Sequence, residues 1–473
     1  MSQAQANRVS VHGMWSSRTL FVMATIGSAV GLGNIWKFPY ITGEYGGGAF
    51  VLVYLLCIAL IGIPIMMAEL LLGRRGRASP IATMRRLVRE EGASPAWVSV
   101  GYMGVVAGFL ILSFYSVIAG WALAYVFQTA AGGLNEISAD GAGKLFAELL
   151  ASPGQLMVWH SVFILMTVAV VARGVRLGLE RAIGFLMPAL FVMLLVMVGY
   201  AYLEGDFARG LHFLFDVDFA AVFQVCAGPP EALNCSFTGE PLLVAMGHAF
   251  FTLSLGMGAI MAYGAYVPDR ASITGATITI AAADTLVALL AGMAIFPIVF
   301  ASGLEPGAGP GLIFQTLPIA FGNMPGGQLF GSVFFILLVF AAWSSAISLV
   351  EPAVAWLVDT RDWRRDLAAG AVGGLAWLLG IGSVLSFNLW SGPEYQWFGK
   401  TFFDLKDFLA SNVMLPLGGL LIALFVAYGA ARRMALEELQ LRRQRLFDAW
   451  WFVIRYLSPI GIALVFLNSV GVF

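Results

Sequence analysis

Charge is scarce in this chain of 473 residues: 11% are Asp, Glu, Lys or Arg, against 60% apolar. So little charge excludes a water-soluble domain, and a mean hydropathy of +0.86 points to a polytopic membrane protein with bilayer lipid as its surroundings. The net charge of −1 shows no basic excess of the kind that marks nucleic-acid binding. Cysteine is nearly absent. Cys57, Cys226 and Cys235 are too few for a disulfide-framed secreted scaffold or a cysteine-rich metal centre. Cys57 lies in an apolar run and reads as a packing residue. A cleavable signal peptide is also missing. Residues 1 to 17 are polar, and the apolar run after them is too long and has no small-residue cleavage site. The first helix is therefore expected to be an uncleaved anchor. No stretch is long and polar enough for a soluble signalling domain.

What the chain does have is long apolar runs. A helical span takes about 20 mostly apolar residues. Eleven segments qualify: 17–41, 46–72, 97–130, 155–172, 180–203, 241–266, 272–302, 329–358, 366–385, 402–429 and 449–471. Arginines concentrate in alternate connections, including Arg74, Arg75 and Arg77 after the second segment and Arg361, Arg364 and Arg365 after the eighth. The opposite connections hold only Lys144, Arg209, Lys400 and Lys406. By the positive-inside bias the N-terminus is cytoplasmic, and an odd number of spans puts the C-terminus outside. Loop 204–240 then faces an oxidising compartment, where Cys226 and Cys235 could pair; their spacing alone does not decide whether the geometry closes. Loop 303–328 is too apolar for a solvated connector and is expected to fold back as a short helical hairpin over the outer mouth, with simple surface packing as the alternative.

Two spans are interrupted. Gly27–Pro39 reads GSAVGLGNIWKFP and Phe250–Gly258 reads FFTLSLGMG. Within a bilayer such breaks survive only where the freed backbone groups meet protein or line a cavity. A single glycine cluster would be read first as close helix packing. Two clusters five spans apart, each with a side-chain oxygen donor, favour a transporter site. There, unwound carbonyls face a cation and half-helix N-termini face an anion.

The motifs GLGNIWKFPY, GGGAF, FFTLSLGMGAI, AAWSSAISLVEP and RYLSP carry a resemblance that covers nearly the whole chain. The chain resembles the neurotransmitter:sodium symporter family, above all its bacterial amino-acid transporters. The resemblance implies an all-α polytopic membrane protein of the LeuT-type fold, with two inverted five-helix repeats at 15–203 and 241–429 and an eleventh helix at 449–471. It implies sodium-coupled symport of a neutral, hydrophobic or aromatic L-amino acid by alternating access in a bacterial inner membrane.

Carried over residue by residue, the resemblance implies two sodium sites. The first takes the Ala29 carbonyl, Asn34, Thr252, Asp284 and the substrate carboxylate. The second takes carbonyls of Gly27, Val30 and Ala341 with the hydroxyls of Ser344 and Ser345. All are hard oxygen donors, suited to a hard cation. Asp284 stands where the better-known members have asparagine, Ala288 where some relatives carry a further acid, and His248 where chloride-dependent members have glutamine. The expectation is that Asp284 supplies the negative charge and makes transport chloride-independent. Gly31 replaces the aspartate of monoamine carriers, so the substrate should bring its own carboxylate to Tyr115 and to the amides near Gly33. Its amino group is expected near Ala29, Phe251 and Ser254, and its side chain among Ile111, Phe251, Ser254, Met257, Ser345 and Leu349. Lys37 and Asp407 match the outer ion pair, with a lysine where the family usually has the bidentate arginine; Trp15 and Asp359 match the inner gate, with His12 or Arg8 in place of its arginine. Glu69 and Glu351 are expected to brace the unwound backbone. Gly178 and Pro188 keep the spacing that lets the fifth span unwind in relatives. A rival reading as an intramembrane hydrolase through His248, Ser254 and Asp284 is disfavoured, because no nucleophile elbow surrounds the serine.

Overall fold

A computed structural model describes residues 15–227, 234–268, 271–306, 311–441 and 443–469. His12 and Arg8 lie outside the described residues. The described chain is helical apart from one two-stranded ribbon and an isolated bridge between Trp397 and Lys400. Nine helices among the described residues are long and apolar enough to cross a membrane. They are Gly48–Gly76, Pro95–Ala130, Pro153–Val171, Val175–Glu204, Ile273–Ala301, Gly327–Arg361, Arg365–Leu385, Phe402–Gly429 and Gln444–Asn468, called here spans two to five and seven to eleven. Span one is the bent pair Arg18–Ala29 and Gly33–Glu44, turned through 49°. The expected sixth is two half-helices, Glu240–Thr252 and Ala259–Ala265, with residues 253–258 outside helix. Length and hydropathy therefore count ten spans. Eleven is reached only by taking these two halves as one crossing.

Burial sorts the spans into an inner and an outer set. In spans three and eight 78% of the apolar window is buried within the protein, against 33% in spans five and eleven. Spans three and eight are the central columns, and spans five and eleven turn most of their apolar surface away from the protein. The second half of span six packs backbone to backbone on span two. A Cβ on Gly73 would fall on the Met261 carbonyl, and one on Gly264 would lie 2.9 Å from the Leu70 carbonyl. Small residues permit that approach where no hydrophobic force drives helices together.

The two long loops differ in kind. Loop 204–240 holds a short helix, Phe207–Phe215, and an antiparallel ribbon of Gln224–Ala227 with Asn234–Phe237. The ribbon register sets Cys226 directly opposite Cys235. Directly opposed cysteines in an antiparallel pair lie within the Cα range a disulfide needs. Unreduced, denatured protein should therefore expose one reactive thiol, Cys57; three would show that the bridge does not form. Among its described residues, loop 303–328 forms one helical stretch, Leu312–Thr316 continuing into Leu317–Asn323, rather than a hairpin. It packs on the C-terminal end of span three, where Tyr125 Oη donates to the Phe314 carbonyl at 2.8 Å.

A pocket at two broken helices

The two breaks meet. Span one leaves helix at Val30, whose backbone is extended. Span six leaves it through Ser254, Gly256 and Gly258, all at positive φ. Glycine tolerates that conformation and serine does not without support. The support comes from two sides. Ser254 Oγ donates to the Ser28 carbonyl at 2.8 Å, and the Gly256 N–H donates to Glu69 Oε1 at 2.7 Å. Glu69 therefore does brace the unwound segment.

All ten residues expected around substrate line one cavity: Ala29, Gly31, Gly33, Ile111, Tyr115, Phe251, Ser254, Met257, Ser345 and Leu349. Ser28, Leu32 and Thr252 complete the wall, and none of the thirteen carries a charged side chain. The cavity holds about 20 Å³, close to one water, so any larger guest must push apart Phe251, Met257 and the apolar side chains opposite. Methionine has the rotatable bonds for that. The Leu32 N–H donates to Tyr115 Oη at 3.2 Å, which ties span three to the break. A Cβ on Gly31 would lie 3.0 Å from Tyr115 Oη and would collide with Ser345 Oγ.

Oxygen atoms crowd two places beside the cavity. At the first, Asn34 Nδ2 donates to Asp284 Oδ1 at 2.8 Å and to the Asp284 carbonyl at 3.1 Å. Thr252 Oγ1 donates to the same carboxylate at 3.0 and 3.2 Å. Asp284 is fully buried, and among the described residues no Lys, Arg or His side chain lies within 4.0 Å of it. At the second, the single Ser345 hydroxyl faces the carbonyls of Val30, Ser28 and Gly27 at 3.1, 3.3 and 3.5 Å. Ser344 Oγ faces the carbonyls of Ala341 and Val30 at 3.0 and 3.5 Å. One hydroxyl proton cannot satisfy three carbonyls. The donor chemistry of both clusters, carbonyl, hydroxyl, amide and carboxylate oxygen, fits a small hard cation.

The gate residues are placed less evenly. Tyr115 and Phe251 line both the inner cavity and an outer vestibule of about 460 Å³, so they form the partition between the two. Lys37 and Asp407 both line that vestibule but do not pair. Lys37 Nζ sits 4.7 Å over the Phe251 ring, and Asp407 accepts from Ser411 Oγ at 2.7 Å. In this arrangement the expected ion pair is not made, and the lysine rests instead on an aromatic face within its reach. Of the other two gate candidates, Trp15 is buried edge-on against Tyr263 and Tyr266, and Asp359 accepts from the Ser79 N–H at 2.6 Å. Glu351 departs from expectation. It binds Arg365 and accepts from Tyr266 Oη at 2.9 Å, where a hydrogen bond to the unwound backbone was expected. Its 14-residue separation from Arg365 spans the turn between spans eight and nine, a proximity invisible without the helix ends.

Some residues escaped the sequence reading. Ser28 and Leu32 lie between assigned neighbours and were legible only as part of the break. Glu180, eight percent exposed at the start of span five, accepts from Ser16 N at 2.6 Å and Ser16 Oγ at 2.9 Å. It pins the chain before span one beside Gly178, and no motif announces it. His248 is buried between Phe38 and Tyr54 with neither ring nitrogen hydrogen-bonded. Ser254 is committed to Ser28 and Asp284 to Asn34 and Thr252, so these residue types do not assemble a triad.

Paired half-helices around a buried, uncharged pocket, flanked by oxygen clusters and capped by an aromatic partition, define an ion-coupled membrane carrier. Residues 12–139 and 144–473 match the Sodium:neurotransmitter symporter family, and the chain belongs to it. It is a sodium-dependent transporter, not an enzyme. It is 39% identical to the uncharacterised sodium-dependent transporter YhdH of Bacillus subtilis (strain 168), over 97% of this chain and 98% of that one. It is 31% identical to an uncharacterised sodium-dependent transporter of Haemophilus influenzae, over 96% and 97% of the two chains. Among solved structures, the crystal structure of MhsT in complex with L-phenylalanine superposes with a TM-score of 0.86 at 44% identity, covering 96% of this chain and 99% of that one. The fold is therefore of the LeuT type.

Proposed function

We propose that this transporter carries a neutral, hydrophobic or aromatic L-amino acid inward with two sodium ions, by alternating access and without chloride. The observation that carries the reading is the pocket: thirteen lining residues at the meeting of two broken helices, none of them charged. An ionised side chain brought there would go unpaired in the membrane interior, at high cost. The bound L-phenylalanine of MhsT, 44% identical to this chain, supports the same class.

In this reading the substrate carboxylate meets Tyr115 and the amides around Gly33, and its ammonium meets carbonyls near Ala29, Phe251 and Ser254. One sodium lies among Ala29, Asn34, Thr252, Asp284 and the substrate carboxylate. The other lies among Gly27, Val30, Ala341, Ser344 and Ser345. Asp284, with no cationic side chain beside it, supplies the charge that makes chloride unnecessary. Each sodium crossing gains about 2.3 kcal/mol per 100 mV of membrane potential. Lys37 and Asp407 pair as the vestibule closes, and Trp15 and Asp359 part as the inner side opens. The repeats are 15–203 and 241–429, with 449–471 outside them, and the N-terminus faces the cytoplasm of a bacterial inner membrane.

The test is uptake of each of the twenty amino acids into proteoliposomes. Accumulation should be confined to apolar and aromatic substrates, should vanish when external sodium is replaced by choline, and should survive replacement of chloride by gluconate. Equal accumulation without a sodium gradient would refute the coupling, and loss in gluconate would refute chloride independence.

A further inference from the structure

A second cavity, of about 670 Å³, lies on the other side of span three from the substrate pocket. It is bounded by the last turns of span three, the outer helix Ala139–Ala151 and the first turns of span four. Three kinds of chemistry meet in it. Phe127 and Trp159 stack at 5.1 Å with their planes 25° apart, which builds an aromatic wall. Glu148 brings a carboxylate that, among the described residues, has no cationic partner within 4.0 Å, Lys144 one turn before it included. Gln128 and Gln155 bring neutral amides.

The groove also continues in a definite direction. Val158 lines it, and Val158, Val162 and Leu165 stand 57%, 37% and 67% exposed on span four. Their spacing of four and three residues places them in one stripe on one helix face. The groove therefore opens onto an exposed apolar strip that runs along span four from the level where span three ends and span four begins.

We propose that this groove binds a phospholipid bearing a primary ammonium headgroup, in the leaflet at this end of the spans. The ammonium lies against Glu148 and the aromatic wall, the phosphodiester accepts from the Gln128 and Gln155 amides, and one acyl chain lies along Val158, Val162 and Leu165. The charges choose the occupant. An unpaired carboxylate beside aromatic faces attracts an ammonium. An anionic lipid without an amine leaves Glu148 unmet, and a quaternary ammonium offers it no N–H donor.

The site borders the transport path. The helix Ala139–Ala151 turns Leu145, Glu148 and Leu149 to the groove and Phe146 and Leu150 to the outer vestibule. Phe146 stacks on Phe314 at 5.5 Å and 6°. A lipid held in the groove braces the wall past which substrate enters.

The test reads lipid retention and so stands apart from the identity of the substrate. Full-length protein in detergent is titrated with phosphatidylethanolamine, phosphatidylcholine and phosphatidylglycerol and weighed by native mass spectrometry. The ethanolamine lipid should be retained about fivefold or more over the glycerol lipid, the scale of one partly exposed ammonium contact with a carboxylate and an aromatic face. Glu148→Gln and Trp159→Leu should each bring it down to the glycerol lipid's level. Phe398→Ala, at a 95% exposed aromatic in another loop, should leave the ratio unchanged. Retention of the glycerol or the choline lipid by the wild type equal to that of the ethanolamine lipid would overturn the proposal, as would undiminished preference in both groove variants. Binding of soluble glycerophosphoethanolamine as tight as that of the lipid would overturn it too, by removing the acyl chain from the site.

Discussion

Asp284→Asn should weaken the apparent sodium affinity of uptake by about 100-fold, with protein yield and detergent stability close to wild type. The carboxylate is fully buried, with Asn34 and Thr252 donating to it and no cationic side chain within 4.0 Å among the described residues. A negative charge so placed is costly unless a cation joins it, and breaking a buried charge pair costs about 3 kcal/mol or more, which corresponds to ~100-fold in affinity. Asparagine keeps the shape and can still exchange hydrogen bonds with Asn34 and Thr252, so the loss should fall on ion binding and not on folding. Sodium titrations of substrate uptake at fixed membrane potential measure it. An unchanged half-saturating sodium concentration would remove Asp284 from the ion site.

Gly31→Ala should abolish most substrate binding, while Gly33→Ala two residues on should be mild. The added methyl at Gly31 lands on the Ser345 hydroxyl and 3.0 Å from Tyr115 Oη, two groups held in place by backbone partners at Val30 and Leu32. The methyl at Gly33 meets the edge of the Phe251 ring at 3.3 Å, and that ring can tilt toward the vestibule it also lines. Overpacking a closed site costs about 1–3 kcal/mol, or roughly 5- to 150-fold in affinity. Equilibrium binding of radiolabelled substrate to purified protein compares the two variants. Equal affinities would show that position 31 does not face the pocket.

Much of this was legible beforehand, for identifiable reasons. Most of the spans could be placed because bilayer crossing imposes a run of apolar residues that needs no knowledge of neighbours. The breaks could be found because glycine, proline and polar residues inside such runs violate a local rule. The pocket lining followed from the family resemblance carried residue by residue, and Ile111, Tyr115 and Leu349 do stand around the same cavity as Gly31 and Met257. The split sixth span shows the limit: its two halves pass no simple length test, yet the break that disqualifies them is the functional part.

Partnerships were not legible. Lys37 rests on Phe251 and not on Asp407, and Glu351 meets Arg365 and Tyr266 and not an unwound turn. A long charged side chain chooses among partners within a few ångströms, and small shifts of helix ends change that choice. The opposition of Cys226 and Cys235 depends on the ribbon register, which the spacing of the two residues left open.

The sequence by itself determined which segments enter the membrane and where two of them must unwind, because hydropathy and backbone freedom act over a few consecutive residues. Only the tertiary structure decided which oxygens converge. Asn34 reaches Asp284 across 250 residues, and Ser345 gathers carbonyls more than 300 residues away. Those distances are set by how spans one, six, seven and eight pack, and packing is a property of the assembled helices that no single stretch contains.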